Sequence, residues 1–599
     1  MCNSLLQRRT KLLYPISNEH RTLIDLSGIW QFQVDWNEEG ESSGWQTCLP
    51  TPADIAVPAS WNEQFQEERI KNWLGSVWYA KEFYCPAEWH DRTVWLRIGA
   101  ANYRAKVWLN GEFLGEHEGG YLPFQFEIGR LVTRGKKNQL VIKVNNTLTP
   151  DTVPQGGLKV PQEQEWLRNY PPTSFDFFPY GGIHRPVVLY ATPKSYLQDI
   201  IVKTDIENDT GRISWTLRTG GEEIGEASVT LMDDERVLVQ ETTSRSQGEL
   251  ELKGARLWSP DDPFLYRLEI KLLQKRRVVD RYTLPIGIRT IRVEGDELLL
   301  NEQPIYLRGF GMHEDFPVIG KGLNPPLIVK DYSLLRWIGA NSFRTSHYPY
   351  SEEMMQLADK YGFLVIDEVP AVGINPQQAT KRTLEVHKQQ MRELVERDRN
   401  HPSVIMWSVG NEPQANTEEA DHYFKEVADL ARKLDDTRPI TVVSWMIDDD
   451  RIFKHFDVVC VNRYHGWYDR HGQLNAAVEH LRSELEKLYR FQRKPIIVSE
   501  FGADSVAGLH SDPPEMFTEE YQAQFIRRYL EVFRKLPYIV GEHIWNFADF
   551  KTSQGIHRVF LNRKGVFTRD RQPKLAAHVL KKLWTGSIGR VKGRERRAI

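Results

Sequence analysis

Cysteine is scarce in this 599-residue chain: four residues, Cys2, Cys48, Cys85 and Cys460, with neither paired nor metal-like spacing. A chain of this length needs no disulfide staples, so the four are expected to be reduced thiols in a cytoplasmic protein. Long apolar runs are missing as well. None approaches the roughly 18 residues that cross a bilayer, and the opening Met1–Thr10 lacks the apolar centre of a secretion signal. Charge of one sign is also lacking: 78 Lys and Arg stand against 81 Asp and Glu, a net −3. That excludes the basic footprint of a protein that binds nucleic acid or an anionic membrane. The locally basic end, Arg590-Val-Lys-Gly-Arg-Glu-Arg-Arg, reads as a solvated tail rather than a binding arm. His-Glu-x-x-His and clustered Cys/His spacings are absent, so no metal and no cofactor is expected. Neither internal repeats nor low-complexity segments occur.

Aromatic residues are abundant, with 18 Trp, 23 Tyr and 26 Phe, a load that suits stacking on sugar faces as well as packing. The length predicts three or four domains. Residues 13–193 read as all-β: short alternating segments such as Arg92-Thr-Val-Trp-Leu-Arg-Ile recur between turn signals. Asn110-Gly111 is a hairpin signal, because both residues tolerate positive φ. A jelly-roll β-sandwich is expected there. Residues 196–288 carry further strands at a spacing that fits an immunoglobulin-like β-sandwich. From 289 to 599 strands and helices alternate, which predicts a (β/α)8 TIM barrel. The strand candidates are Ile305–Gly309, Ala340–Arg344, Leu364–Val369, Val404–Val409, Ile440–Ser444, Val458–Asn462, Pro495–Ser499 and Glu542–Trp545. Ser351 caps a helix with an acidic first turn. In Leu384–Arg399, Leu384, Met391, Leu394 and Val395 share one helical face.

Two glutamates stand out against this frame. Glu412 ends Val404-Ile-Met-Trp-Ser-Val-Gly-Asn-Glu, and Glu500 ends Pro495-Ile-Ile-Val-Ser-Glu. Both runs have the short, β-branched look of buried parallel strands. A carboxylate at the C-terminal tip of such a strand faces the mouth of the barrel, where catalytic groups sit. Two of them suggest glycosidase chemistry, one protonating a leaving oxygen and the other attacking the sugar.

The barrel region resembles glycoside hydrolase family 2 along its whole length, through Asn341-Ser-Phe-Arg-Thr-Ser-His-Tyr-Pro-Tyr and Arg399-Asn-His-Pro-Ser-Val-Ile-Met-Trp-Ser-Val-Gly-Asn-Glu-Pro. The preceding regions are similar through Asp25-Leu-Ser-Gly-Ile-Trp, Tyr121-Leu-Pro-Phe, and Leu257-Trp-Ser-Pro with Pro263-Phe-Leu-Tyr. Within that family the chain most resembles β-glucuronidases, through Asp176-Phe-Phe-Pro-Tyr-Gly-Gly-Ile-His-Arg, Asn462-Arg-Tyr-His-Gly-Trp-Tyr, Trp545-Asn-Phe-Ala-Asp-Phe, Thr552-Ser-Gln-Gly-Ile and Asn562-Arg-Lys-Gly. The resemblance implies a retaining exo-β-D-glucuronidase acting on small-molecule or oligosaccharide β-glucuronides, and a homo-oligomer, tetramer or dimer. Glu412 matches the general acid/base, Glu500 the nucleophile, and the two carboxyls would stand about 5–5.5 Å apart. Asn562 and Lys564 match the pair that grips the sugar's carboxylate through charge-assisted bonds. A neutral sugar is expected to leave Lys564 without a partner. Asn411 matches the holder of the 2-hydroxyl, Tyr464 and Tyr468 the residues that orient Glu500 or line the pocket, and Trp545 a sugar-facing wall. Asp176, His313, His347 and Arg558 match further substrate-binding positions.

Other readings stay open at this level. His313 and His347 fit core histidines that orient strands, Trp545, Tyr464 and Tyr468 fit packing residues, and Asp176 fits a loop carboxylate. The same family includes β-galacturonidases and β-galactosidases, and a non-catalytic carbohydrate-binding protein is the rival of another class. The connection after Val369 is short where similar bacterial enzymes carry a longer loop, which predicts a more open mouth on the aglycone side.

Overall fold

The computed structural model describes residues 13–159, 168–222 and 225–586. The segment Met1–Thr10 with Cys2, and the basic run from Arg590, lie outside the described residues. The three expected architectures follow one another along the chain. In the first, a six-stranded sheet runs in the order Ala53–Val57, Gly28–Val34, Ser76–Tyr84, Lys137–Asn145, Arg104–Leu109, Glu112–Glu118. It faces a second sheet ordered Thr22–Asp25, Gly182–Thr192, Thr93–Asn102, Phe124–Glu127. Alternation puts Trp30, Val77, Tyr79, Val94, Leu96 and Ile142 into one shared core. Asn110 (φ 52°) and Gly111 (φ 85°) make the predicted tight turn between Arg104–Leu109 and Glu112–Glu118.

The second unit packs a three-stranded sheet (Ser195–Glu207, Thr210–Gly221, Gln247–Lys253) on a four-stranded one (Arg236–Thr243, Glu226–Asp233, Tyr266–Gln274, Arg277–Ile286). Trp215, Leu231 and Ile270 lie between them. A small sheet follows that the sequence did not announce: Ile291–Glu294, Glu297–Leu300 and Gln303–Pro304. Its Leu298 and Leu300 join Trp258, Leu364, Ile366 and Ile497 to floor the barrel. The barrel therefore begins after this sheet, at Leu307 rather than Ile305.

The barrel is closed by eight parallel strands. We number them 1 to 8: Leu307–Gly311, Ser342–Arg344, Leu364–Glu368, Val404–Asn411, Ile440–Ser444, Val458–Asn462, Ile496–Glu500 and Ile539–Ile544. Strand 8 opens three residues before its expected start at Glu542, in the apolar run Ile539-Val-Gly. Ser351 caps the helix Glu352–Tyr361 by accepting from Met354 N–H. The helix Lys381–Asp398 buries Val386, Met391, Leu394 and Val395 on one face. Between strands 5 and 6 there is only the 3-10 turn Phe453–His455. Among the described residues, no helix is long and apolar enough to cross a membrane.

Trp258 joins two units. It lies in the loop between the immunoglobulin-like strands Gln247–Lys253 and Tyr266–Gln274, is fully buried in the barrel floor, and donates from Nε1 to the Asp359 carbonyl at 2.8 Å. Trp258→Ala therefore leaves a cavity and an orphaned carbonyl, and is expected to cost about 3–5 kcal/mol. Urea unfolding followed by circular dichroism measures it; a loss under about 1 kcal/mol contradicts the floor's role.

Candidate active site

Parallel strands in a closed barrel bring their C-terminal tips to one face. Here a cavity of about 1480 Å³ opens at that face. Its wall includes Asp176, His347, Asn411, Glu412, Trp445, Tyr464, Tyr468, Glu500, Trp545 and Arg558. Residues 155–159 and 172–176 of the first unit line it too, so the cavity lies between the jelly roll and the barrel.

At its base sits a cluster of charges. Arg344 ends strand 2, Glu368 ends strand 3 and Glu500 ends strand 7. The Arg344 guanidinium donates through one nitrogen to both oxygens of Glu368, each at 2.7 Å, and through the other to Glu500 Oε1. Arg344 and Glu368 side chains are 0% exposed. Burial alone would favour the neutral forms, yet the facing charges keep Arg344 protonated and hold Glu368 below its ordinary pKa. Ser408 donates to Glu368 Oε2 at 2.7 Å, and His347 Nδ1 lies 3.1 Å from Oε1. Burial lowers the His347 pKa, so the ring is neutral and its Nδ1–H points at Glu368. His347 Nε2 is 3.7 Å from Glu500. Tyr464 donates to Glu500 Oε2 at 2.7 Å.

Glu412 stands in a different setting. The chain turns sharply at the end of strand 4, with Gly410 at φ 159° and Glu412 itself left-handed at φ 51°. A Cβ on Gly410 would meet the Ala371 carbonyl at 2.9 Å, so only glycine lets the backbone pass there. Glu412 N–H donates to the Val443 carbonyl at 2.8 Å, which pins the turn. Its carboxyl accepts from Asn462 Nδ2 at 2.7 Å. Ser499 donates to Asn462 Oδ1 at 3.0 Å and so fixes which end of the amide faces Glu412.

Burial raises the pKa of both carboxyls, and each charge repels the other. They titrate as a pair. Their donors differ. Glu500 faces a guanidinium and a hydroxyl that favour its anion, whereas Glu412 accepts from one neutral amide. The donors favour the anion at Glu500, although burial and the Glu412 charge lift its pKa further than that of Glu412, to about 8. One buried acid beside one buried carboxylate is the equipment for acid-assisted displacement at a sugar carbon.

A second charge network lies along one flank. Asp176, from the first unit, accepts from Arg558 Nε at 2.9 Å and from Asn562 Nδ2 at 2.7 Å. Arg558 also donates to the Tyr468 hydroxyl at 2.9 Å. Asn562 and Lys564 sit one layer behind the cavity wall rather than on it. Lys564 is 0% exposed and pairs with Asp504, with the Tyr468 ring 4.9 Å from its Nζ. The expectation that only a substrate carboxylate could partner Lys564 is thus corrected. A buried ammonium cannot stay uncompensated, and the fold supplies Asp504.

Trp545 lies on the wall, stacked on His347 at 4.9 Å, in space that Gly311 leaves free. Strand tips place His347, Asn411, Glu412, Tyr464, Glu500 and Trp545 together, and the first unit adds Asp176. His313, like Asn562 and Lys564, does not line the cavity: it packs among Phe177, Trp545 and Phe550, with Nδ1 3.0 Å from the Tyr348 hydroxyl. The sequence reading missed Arg344, Glu368, Asn462 and Asp504. A signal for Arg344 existed, since a charged residue closing an apolar strand demands a buried counter-charge. The short connection after Val369 does not leave its flank open. Asn375 N–H donates to Gln155 Oε1 at 2.8 Å and Lys159 N–H to Gln378 Oε1 at 2.9 Å, so the first unit closes against it.

Comparison with known proteins places this geometry in a family. Residues 23–193 match the sugar binding domain of glycosyl hydrolases family 2, residues 195–289 a second model of glycosyl hydrolases family 2, and residues 291–588 its TIM barrel domain. A β-glucuronidase of Paenibacillus borealis is 43% identical over 96% of this chain and 99% of its own. The solved β-D-glucuronidase of Dictyoglomus thermophilum is 46% identical, with a TM-score of 0.89 over 96% of this chain and 99% of the other. A β-glucuronidase of Ruminococcus gnavus solved with D-glucuronic acid is 40% identical, with a TM-score of 0.91 over 96% of this chain and 100% of the other. The chain belongs to glycosyl hydrolases family 2 and is a glycoside hydrolase.

The Lys564–Asp504 pair makes a stability prediction separate from catalysis. Lys564→Ala strands a buried carboxylate and is expected to cost about 3–5 kcal/mol, most of it recovered when Asp504→Ala is added. Thermal unfolding of the two variants measures this; an additive double variant contradicts the pairing.

Proposed function

We propose that this family 2 hydrolase is a retaining exo-β-D-glucuronidase that removes terminal β-glucuronic acid by double displacement. The observation that carries the mechanism is the unequal donor set of the two carboxyls: guanidinium and phenol on Glu500, one amide on Glu412. Glu500 attacks the anomeric carbon, and the glycosidic oxygen leaves with the proton of Glu412. A glycosyl ester on Glu500 results. Glu412, now ionised, takes a proton from water as that water attacks the same carbon, which frees Glu500 and returns the β configuration. Arg344 and Tyr464 hold Glu500 as an anion while positive charge develops on the ring. Asn411 takes the 2-hydroxyl, Trp545 and His347 form the sugar-facing wall, and Tyr468 lines the opposite side.

Recognition of the uronate rests on Arg558 and Lys564 with Asn562. Each cation is already paired, to Asp176 and Asp504, and the sugar's carboxylate joins these networks while Asp176 takes a sugar hydroxyl. The named β-glucuronidase relatives, one of them solved with D-glucuronic acid, support this substrate. The reading extends to a cytoplasmic homo-oligomer. Unpaired Cys48, Cys85 and Cys460 suit a reducing compartment, and exposed Ile556, Val559 and Phe560 are of the kind an interface covers.

Initial rates on 4-nitrophenyl β-glucuronide, β-galacturonide and β-galactoside test the assignment. Glucuronide is expected to be hydrolysed fastest, and Glu500→Ala to lower that rate by about 10³-fold or more. Faster hydrolysis of the galactoside contradicts the uronate reading and leaves the mechanism standing.

The pH profile gives a second check. Activity needs Glu412 protonated, so it falls as pH rises through the elevated pKa of that group. Asn462 donates to the charged form and pulls this pKa down. Asn462→Ala is therefore expected to move the alkaline limb of kcat/KM to higher pH. A limb that moves to lower pH contradicts the assignment of acid to Glu412.

A further inference from the structure

Three ligand-type side chains that the hydrolytic mechanism does not use converge at the rim of the cavity. His465 comes from the loop after strand 6, and His480 and Glu484 from the helix Leu474–Gln492. One donor atom of each lies within 4.8 Å of the other two. The spacing of four puts His480 and Glu484 on one helical face. His465 Nε2 is 2.7 Å from Glu484 Oε2, and the two imidazoles meet edge to face with centroids 4.5 Å apart.

The far side of His465 gives this cluster its chemical direction. Its Nδ1 lies 2.9 Å from both carboxylate oxygens of Asp469. A carboxylate there takes the Nδ1–H and leaves Nε2, with the proton it shares with Glu484, facing Glu484 and His480. This is the backing that metal-ligating imidazoles have, and it raises ligand basicity. A plain ion pair between His465 and Glu484 accounts for those two residues, yet it gives His480 no part. The His480 side chain makes no hydrogen bond to any described residue.

We propose that His465, His480 and Glu484 form a site for one divalent transition-metal ion of the zinc class, at the mouth of the catalytic cavity. Two imidazole nitrogens and one carboxylate are the donor set such ions take, with remaining positions open to solvent. Binding displaces the proton shared between His465 and Glu484 to solvent, and no other bond changes. Two cations oppose the ion: Arg463 Nε lies 3.0 Å from Glu484, and Arg470 pairs with Asp469. The site is therefore one for reversible occupation and not a structural centre. Its occupant would tie the loop that carries Tyr464 and Tyr468 to the helix. The sequence reading expected no metal, because only His480 and Glu484 have ligand spacing and His465 arrives on a separate loop.

The test uses the full chain stripped with EDTA. Isothermal titration with ZnCl2 is expected to show one saturable site that His480→Gln weakens at least about tenfold. Crystals soaked in zinc are expected to show an anomalous peak about 2.0–2.2 Å from the donor atoms of the three residues. Metal-free His480→Gln is expected to keep wild-type hydrolysis, since His480 is not on the cavity wall. Absence of saturable binding, binding unaffected by both His480→Gln and Glu484→Gln, or an anomalous peak only elsewhere overturns the proposal. These readouts are heat and scattering, so their failure leaves the substrate assignment untouched.

Discussion

One guanidinium holds the catalytic end of this barrel together. Arg344 is fully buried between Glu368 and Glu500, and those carboxylates close two other strands. Three charges removed from water are costly unless each is paired and its remaining lone pairs are met. The surrounding residues meet that demand: Ser408 and His347 on Glu368, and Tyr464 on Glu500. The cluster carries one more negative charge than positive. Beside it, burial raises the pKa of Glu412, while Asn462 and Arg344 pull it down.

The rest of the site follows from where the strands end. Strands 4 and 7 stop at Asn411 and Glu500, and the left-handed turn at Glu412 swings its carboxyl toward Asn462. Asn462 is aligned beside Glu500 in strand register and reaches across to Glu412. One amide thus senses both halves of the chemistry. The jelly roll contributes Asp176, whose bonds to Arg558 and Asn562 tie the first unit to the loop after strand 8. The cavity belongs to the first unit and the barrel together, because its wall is drawn from both.

Much of this was legible before any coordinates. The order of architectures came from alternation giving way to strand–helix periodicity, and seven of the strand candidates differ from the barrel strands by no more than two residues at either end. Glu412 and Glu500 were visible because carboxylates that close β-branched runs have few other uses. What failed was pairing between distant segments. Lys564 and Asp504, Arg344 and Glu368, and Asp176 and Asn562 have complementary chemistry but no shared pattern in the chain. His313 read as a substrate-binding residue because motif position says nothing about which side of an aromatic layer a ring occupies. The small sheet beneath the barrel was hidden for another reason: strands of two to four residues are too short to show a period.

The central claim is that Arg344 and Tyr464 make Glu500, and not Glu412, the group that bonds to the sugar. The most direct measurement is to trap that bond with a 2-deoxy-2-fluoro-β-glucuronyl fluoride and find the labelled peptide by mass spectrometry. The account predicts one adduct per chain, on Glu500. An adduct on Glu412, or on any other residue, would contradict it.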